Sequence, residues 1–269
     1  MKINNNYYNL SNKYNKRIVL ISDIHYFNKR ILNNLYNVLN EIKDLKPDYI
    51  CVSGDIVDDK NIKDQDYLVK WFKDLSKISK VIISLGNHDF YYNHEYEESY
   101  DRKLFDSIDK IKNVYVLDNR VYSNNGINFI GVTLPNEYYD NKENEDELIY
   151  FMNKKYPYLS SGYNVMLIHS PYCIANSSVL KEIKCHKSID LILSGHMHGG
   201  LTFEFLKKIL RGRGLINPQN GLLKKYCYGK YKIDNTSVII TSGITKLSKS
   251  HKIGILSFLY KSEITIIDI

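Results

Sequence analysis

The sequence lacks the signatures of several protein classes. Its 269 residues hold four scattered cysteines (Cys51, Cys173, Cys185 and Cys227) and no Cys-x-x-Cys pair. Metal–thiolate and dithiol redox chemistry are therefore unsupported, and reduced thiols in a cytoplasm are the simpler account. No apolar run approaches the ~20 residues of a membrane span. Met1 to Lys16 is polar, rich in Asn and Tyr, and has no apolar signal core. No internal repeat and no Pro/Gly/Ser-rich linker marks a domain boundary. The expectation is a flexible tail over 1–16 and a single domain over 17–269. The location expected is the cytoplasm, with peripheral contact at the inner membrane face as the one membrane role left to it.

What is present is ordinary in bulk, with 43% hydrophobic and 25% charged residues. A chain of this size can bury a core without disulfides or structural metals. Lys plus Arg outnumber Asp plus Glu by 37 to 30, a formal charge of +7. Such a surplus suits an anionic partner: a phosphate ester, a nucleic acid or an acidic membrane face. Lys, Asn, Ile and Tyr dominate, however, and an AT-rich coding bias accounts for the surplus as readily.

Hydrophobic periodicity alternates short apolar strands with amphipathic helices. Arg17 to Ser22, Tyr49 to Ser53 and Lys80 to Leu85 read as buried strands. Helical spacing follows each, over Asn28 to Leu45, Asp66 to Ile78 and Ser99 to Ile111. The second half opens with strands at Val114 to Leu117, Val121 to Ser123 and Ile127 to Thr133, with a turn at Asn124-Asn125-Gly126. An acidic loop and a helix ending near Tyr156 come next. Further strands follow at Asn164 to Ile168, Ile189 to Ser194, Ser237 to Thr241, Ile253 to Leu259 and Glu263 to Ile267. This rhythm predicts two packed sheets with helices outside.

A polar cluster closes one strand after another. These are Asp23-Ile24-His25, Gly54-Asp55 (running on to Asp58), Gly86-Asn87-His88-Asp89, His169-Ser170-Pro171 and Gly195-His196-Met197-His198-Gly199-Gly200. Sites form outside the carboxyl ends of strands in open α/β sheets, so these loops can converge. Carboxylates, an amide and imidazoles without thiolates suit Mn, Fe or Zn. On extended backbone Asp23 and His25 point the same way and can reach one metal. Gly54, Gly86 and Gly195 each precede a candidate ligand, where a chain leaving a strand turns sharply. Each fragment alone is a weak signal. Five in order are not coincidence.

Together the fragments resemble the calcineurin-like metallophosphoesterases, over about Arg17 to the C-terminus. The Gly-His-x-His-Gly-Gly ending, Gly229 to Thr236 and Ile239 to Ile244 are similar to the bacterial branch that cleaves phospholipids and lipid-A precursors. The chain departs from that branch at Leu201, where a polar residue is common, and in its polar first residues, where many members carry a membrane segment. The resemblance implies an α/β/β/α sandwich of two mixed β-sheets. It further implies two divalent ions, one on Asp23, His25 and His198, the other on Asn87, His169 and His196, with Asp55 bridging. It implies attack on phosphorus by a metal-bridging hydroxide, with His88 as general acid to the leaving oxygen. Asp89 is then expected to accept from the second ring nitrogen of His88 and fix its tautomer, the competing reading being a turn-stabilising carboxylate.

Two secondary signals remain. Phe90 to Tyr100 is dense in aromatics that either line a substrate pocket or pack ordinarily, and His94 within it reads as a surface histidine. Phe203 to Arg213 sets Phe205, Leu206, Ile209 and Leu210 against Lys207, Lys208, Arg211 and Arg213, a short basic amphipathic helix. It either meets an anionic membrane or packs its apolar side on the body. The expected activity is hydrolysis of a phosphodiester or pyrophosphate bond in a lipid-linked or nucleotide-containing substrate. A nuclease or cyclic-nucleotide phosphodiesterase is the alternative, and a non-catalytic scaffold the alternative of another class. No structural nucleic-acid partner is expected.

Overall fold

The computed structural model describes residues 3–11, 13–58, 62–89, 102–134, 145–171, 177–215, 223, 225–244 and 262–269. Phe90 to Tyr100 with His94, and the expected strand Ile253 to Leu259, lie outside them. The first half alternates β2 (Arg17–Ile21), α1 (Leu32–Leu45), β3 (Tyr49–Ser53), α2 (Gln65–Leu75), β4 (Lys80–Ser84), α3 (Arg102–Asp109) and β5 (Val114–Val116). β2, β3, β4 and β5 pair in parallel in that order. Helical spacing explains the layer above them. Leu35, Val38, Leu39 and Ile42 of α1, and Leu68, Trp71, Phe72 and Leu75 of α2, fall on one face of each helix. They pack on Val19, Ile21, Ile50, Val52, Val81 and Ile83 of the sheet. The Trp71 indole donates to the Leu35 carbonyl at 2.9 Å, so the two helices are also hydrogen-bonded.

The second half adds β6 (Val121–Asn124), β7 (Ile127–Val132), α4 (Glu145–Lys155), β8 (Tyr163–Ile168), α5 (Ser177–Glu182) and β9 (Leu191–Ser194). Then follow α6 (Glu204–Leu210), β10 (Gly229–Ile233), β11 (Thr236–Ile240) and β12 (Ser262–Asp268). Its sheet runs β10-β11-β9-β8-β7-β6, with β7, β8, β9 and β11 parallel. The first sheet, flanked by β1 (Ile3–Asn9), runs β1-β12-β2-β3-β4-β5. Between the sheets lies a layer made by alternate residues of both, including Ile18, Leu20, Cys51 and Ile82 against Phe129, Val165, Leu167 and Leu193. The result is the expected α/β/β/α sandwich of two mixed sheets.

The expected flexible tail is corrected in part: residues 3–9 form edge strand β1, parallel to β12 from Ile3↔Ser262 to Asn9↔Asp268. Its asparagines hide it from hydrophobic patterning, because backbone hydrogen bonds to β12 hold it while only Ile3 and Tyr8 pack on the core. Among the described residues, no helix is long and apolar enough to cross a membrane.

Candidate metal centre

The polar clusters after β2, β3, β4, β8 and β9 meet at one end of the two sheets. Backbone bonds lace the loops together: Asp23 N to Gly54 O at 3.0 Å, His25 N to Asp55 O at 3.0 Å, and Gly195 N to His169 O at 2.9 Å. Asp23, His25 and His198 form one group of converging donor atoms, and Asp55, His169 and His196 another, all buried. His25, Asp55 and His88 form a third that overlaps both. Asp55 Oδ2 lies 3.0 Å from His169 Nε2 and 3.8 Å from His25 Nε2. Asp23 Oδ1 lies 3.6 Å from His198 Nε2 and 3.8 Å from His25 Nε2. Asn87 follows β4 beside them.

The backbone reaches this arrangement by an unexpected route. Asp23, His25, Asp55, His196 and His198 all have positive φ, between +45° and +66°. Asp23 and His25 therefore converge through left-handed turns, not from extended backbone. Each such residue costs about 1–3 kcal/mol and persists only where the surroundings fix it. The glycines also act differently from expectation. Gly54 does turn, at φ +79°, and a Cβ there would lie 2.6 Å from the His169 ring. Gly86 has ordinary φ, but a Cβ would stand 2.5 Å from the Asp55 nitrogen and overlap its carboxylate. There the need is for space.

Hydrogen bonds fix which atoms face the centre. His169 Nδ1 donates to the Ser53 carbonyl at 2.7 Å, because a carbonyl only accepts, and this leaves Nε2 towards Asp55. His88 Nδ1 donates likewise to the Asp58 carbonyl at 2.7 Å. This corrects the expectation for Asp89. Its Oδ1 accepts from Ile56 N at 2.9 Å and Val57 N at 3.0 Å, and its Oδ2 accepts from Gly86 N at 2.8 Å. Asp89 thus ties the loop after β3 to the loop after β4, while Asp58 orients His88. Asp58 closes the motif that begins at Gly54, where no role was expected of it. No residue pattern signals this role, because the contact is made by a backbone carbonyl that any residue at 58 would offer.

The electrostatics are those of a site built for cations. Burial opposes ionisation of Asp55, yet the His169, His88 and His25 rings hold its carboxyl well below the usual carboxylate range. His169 is buried as well, and Asp55 and Asp23 still raise it to about 9. Burial, reinforced by His169, lowers His196 to about 3, and burial lowers His198 to about 4 against the pull of Asp23. Burial and the Asp55 charge push Asp89 up to about 7, with the Gly86 and Val57 amides pulling the other way. Asp23 Oδ1, His25 Nε2 and Asn87 Oδ1 are buried without a hydrogen-bond partner among the described residues. Buried acceptors left so are costly in a bare protein and are ordinary metal ligands. The residues fit divalent cations.

The two-sheet sandwich thus carries a buried carboxylate–imidazole cluster at the ends of its strands. Residues 16–200 match the family described as calcineurin-like phosphoesterase, and the chain belongs to that family. It is 25% identical over 231 residues to an uncharacterized metallophosphoesterase of Helicobacter pylori, covering 84% of this chain and 53% of that protein. An uncharacterized metallophosphoesterase of Aquifex aeolicus is 28% identical over 207 residues, covering 74% of this chain and 66% of the other. The chain thus spans about half the length of the Helicobacter relative. Among solved structures, an archaeal phosphodiesterase aligns with TM-score 0.44 at 13% identity, over 87% of this chain and 88% of that one. A dimetal phosphatase from Danio rerio aligns with TM-score 0.42 at 12% identity, over 86% of this chain and 88% of the other.

The basic segment 203–213 needs one correction. Lys207 does not join a cationic outer face: its Nζ lies 3.3 Å from Glu263 Oε2 and donates to Ser242 Oγ at 3.1 Å. Lys208, Arg211 and Arg213 are exposed, as is Ile209 at 73%. Leu206 and Leu210 are half-buried.

Proposed function

We propose that the chain hydrolyses phosphodiester or pyrophosphate bonds in a lipid-linked or nucleotide-containing substrate, as in the phospholipid and lipid-A-precursor branch of its family. The observation that carries the reading is the position of Asp55, whose carboxylate belongs to the donor groups of both His169/His196 and His25/His88. Two divalent cations (Mn, Fe or Zn) on Asp23, His25 and His198 and on Asn87, His169 and His196, with Asp55 shared, would activate water and neutralise phosphoryl charge. The chain's own part is orientation. The Ser53 carbonyl keeps the His169 Nε2 lone pair inward, the kind of outer support that metal-ligating histidines use. With Nδ1–H on the Asp58 carbonyl, His88 would act as general acid in its imidazolium form, giving the Nε2 proton to the leaving oxygen and ending as the neutral Nδ1–H ring. Asp89 holds the Asp55 and His88 loops at a fixed separation.

Support for an anionic, lipid-linked substrate is the charge of +7 and the exposed Ile209 and Leu223, 73% and 49% accessible, among Lys208, Arg211, Arg213 and Lys225. Exposed apolar side chains close in sequence to exposed cations suit the surface of an anionic bilayer. The test compares Mn²⁺-loaded protein on bis-p-nitrophenyl phosphate, p-nitrophenyl phosphate and a lipid pyrophosphate in anionic vesicles. The diester should be cleaved faster than the monoester. Lys208→Gln/Arg211→Gln/Arg213→Gln should slow only the vesicle substrate. A preference for the monoester overturns the bond type, and an unchanged vesicle rate overturns the lipid assignment.

A further inference from the structure

Glu263 in β12 is a carboxylate at 2% exposure for which the proposed chemistry has no use. Buried charges are rare unless paired, and this one is fully engaged. Oε1 accepts from Thr241 Oγ1 at 3.3 Å and Thr265 Oγ1 at 3.1 Å. Oε2 accepts from Ser242 Oγ at 2.7 Å and Lys207 Nζ at 3.3 Å. Its backbone nitrogen donates to Gly243 O at 2.9 Å. One residue therefore grips three successive positions, 241 to 243.

That segment lies against the metal centre at two points. A Cβ on Gly243 would stand 2.7 Å from Asp23 Cβ. A Cβ on Gly199 would stand 2.7 Å from Ser242 Oγ and 3.7 Å from Lys207 Cε. Gly199 follows His198 in a run of four left-handed residues, His198, Gly199, Gly200 and Leu201, with φ from +45° to +62°. Gly199 and Gly200 accept this backbone readily, but His198 and Leu201 are strained in it and need outside support.

We propose that the Lys207–Glu263–Ser242 cluster is a positioning latch for one half of the metal centre, the half formed by Asp23 and His198. The inference rests on the reading of those two residues as ligands of one ion. The latch touches no substrate. It presses the 241–243 segment between Asp23 and the His198 turn, and so sets the distance between two donors carried by different sheets. Ser242 and Gly243 meet Gly199 and Asp23 directly, so the latch bears on the half of the centre formed by Asp23 and His198.

The test uses Co²⁺ as probe on the chelator-stripped full chain, reading affinity for each ion and the visible absorption of bound cobalt. Lys207→Met/Glu263→Gln removes both charges, so neither is left buried alone. Ser242→Ala loses only the hydroxyl against Gly199 and keeps the test open should the double variant not fold. One ion should bind ~10-fold or more weakly, the usual loss on removing outer support, with a changed spectrum, and the other as in wild type. Wild-type affinity and spectrum for both ions in the folded variants overturn the latch. His198→Ala separates the two claims: if it loses an ion while the latch variants lose none, the latch alone fails. If His198→Ala binds two Co²⁺ normally, the ligand reading fails.

Discussion

At the start of β2 and β3, Asp48 accepts from Arg17 N at 2.9 Å and Lys16 Nζ at 2.8 Å. Arg17 reaches across to the Asp268 carboxylate in β12 at 2.8 and 2.9 Å. In the second sheet, Asn164 at the start of β8 is bonded to Asp190, Ser188 and Asn128 at 2.8 to 2.9 Å. At the other end of the same strands stand Asp23, Asp55, His169 and His196, buried, crowded together, mostly on left-handed backbone. One end pairs its polar groups with each other and with solvent. The other gathers carboxylates and imidazoles into groups that suit cations, with Asp23 Oδ1 lacking a hydrogen-bond partner among the described residues. The comparison separates stability from function along single strands, as expected where sites lie outside carboxyl ends.

Substitutions at the two ends should therefore fail differently. The largest effect is expected for Asp55→Asn, which removes the shared charge: at least one divalent ion and nearly all turnover should go. Metal analysis by mass spectrometry checks this, and two retained ions with near-normal turnover would refute the sharing. Next is His88→Ala, which should keep both ions and turn over ~10²–10⁴-fold more slowly. The deficit should shrink with good leaving groups, as a series of aryl phosphodiesters would reveal. An equal deficit throughout means that His88 is not the acid. Smallest is Asp48→Ala at the opposite end. It should cost about 1 kcal/mol of stability, because its bonds are partly solvated, with metal content and turnover unchanged. A loss of metal there would erase the division between the ends.

Much of the fold was legible because it rests on burial. The α1 and α2 stripes and the apolar runs of β2, β3 and β4 state their faces directly. β1 was not legible, since Asn4, Asn5 and Asn6 bury nothing that patterning can find and the strand depends on a partner some 260 residues away. The candidate ligands were legible as polar residues closing apolar strands. Their supports were less so. Whether Asp89 meets His88 or three backbone amides depends on how two loops lie together. Lys207 reads as one of four surface cations until Glu263, 56 residues further on, is placed beside it.

The central claim is that the strand ends hold a two-ion phosphoesterase centre. It is tested most directly by turnover of bis-p-nitrophenyl phosphate as Mn²⁺ is returned to chelator-stripped protein. The account predicts no turnover in the stripped protein and activity that levels off at two ions per chain. Turnover that survives stripping, or none with any divalent ion, would contradict it.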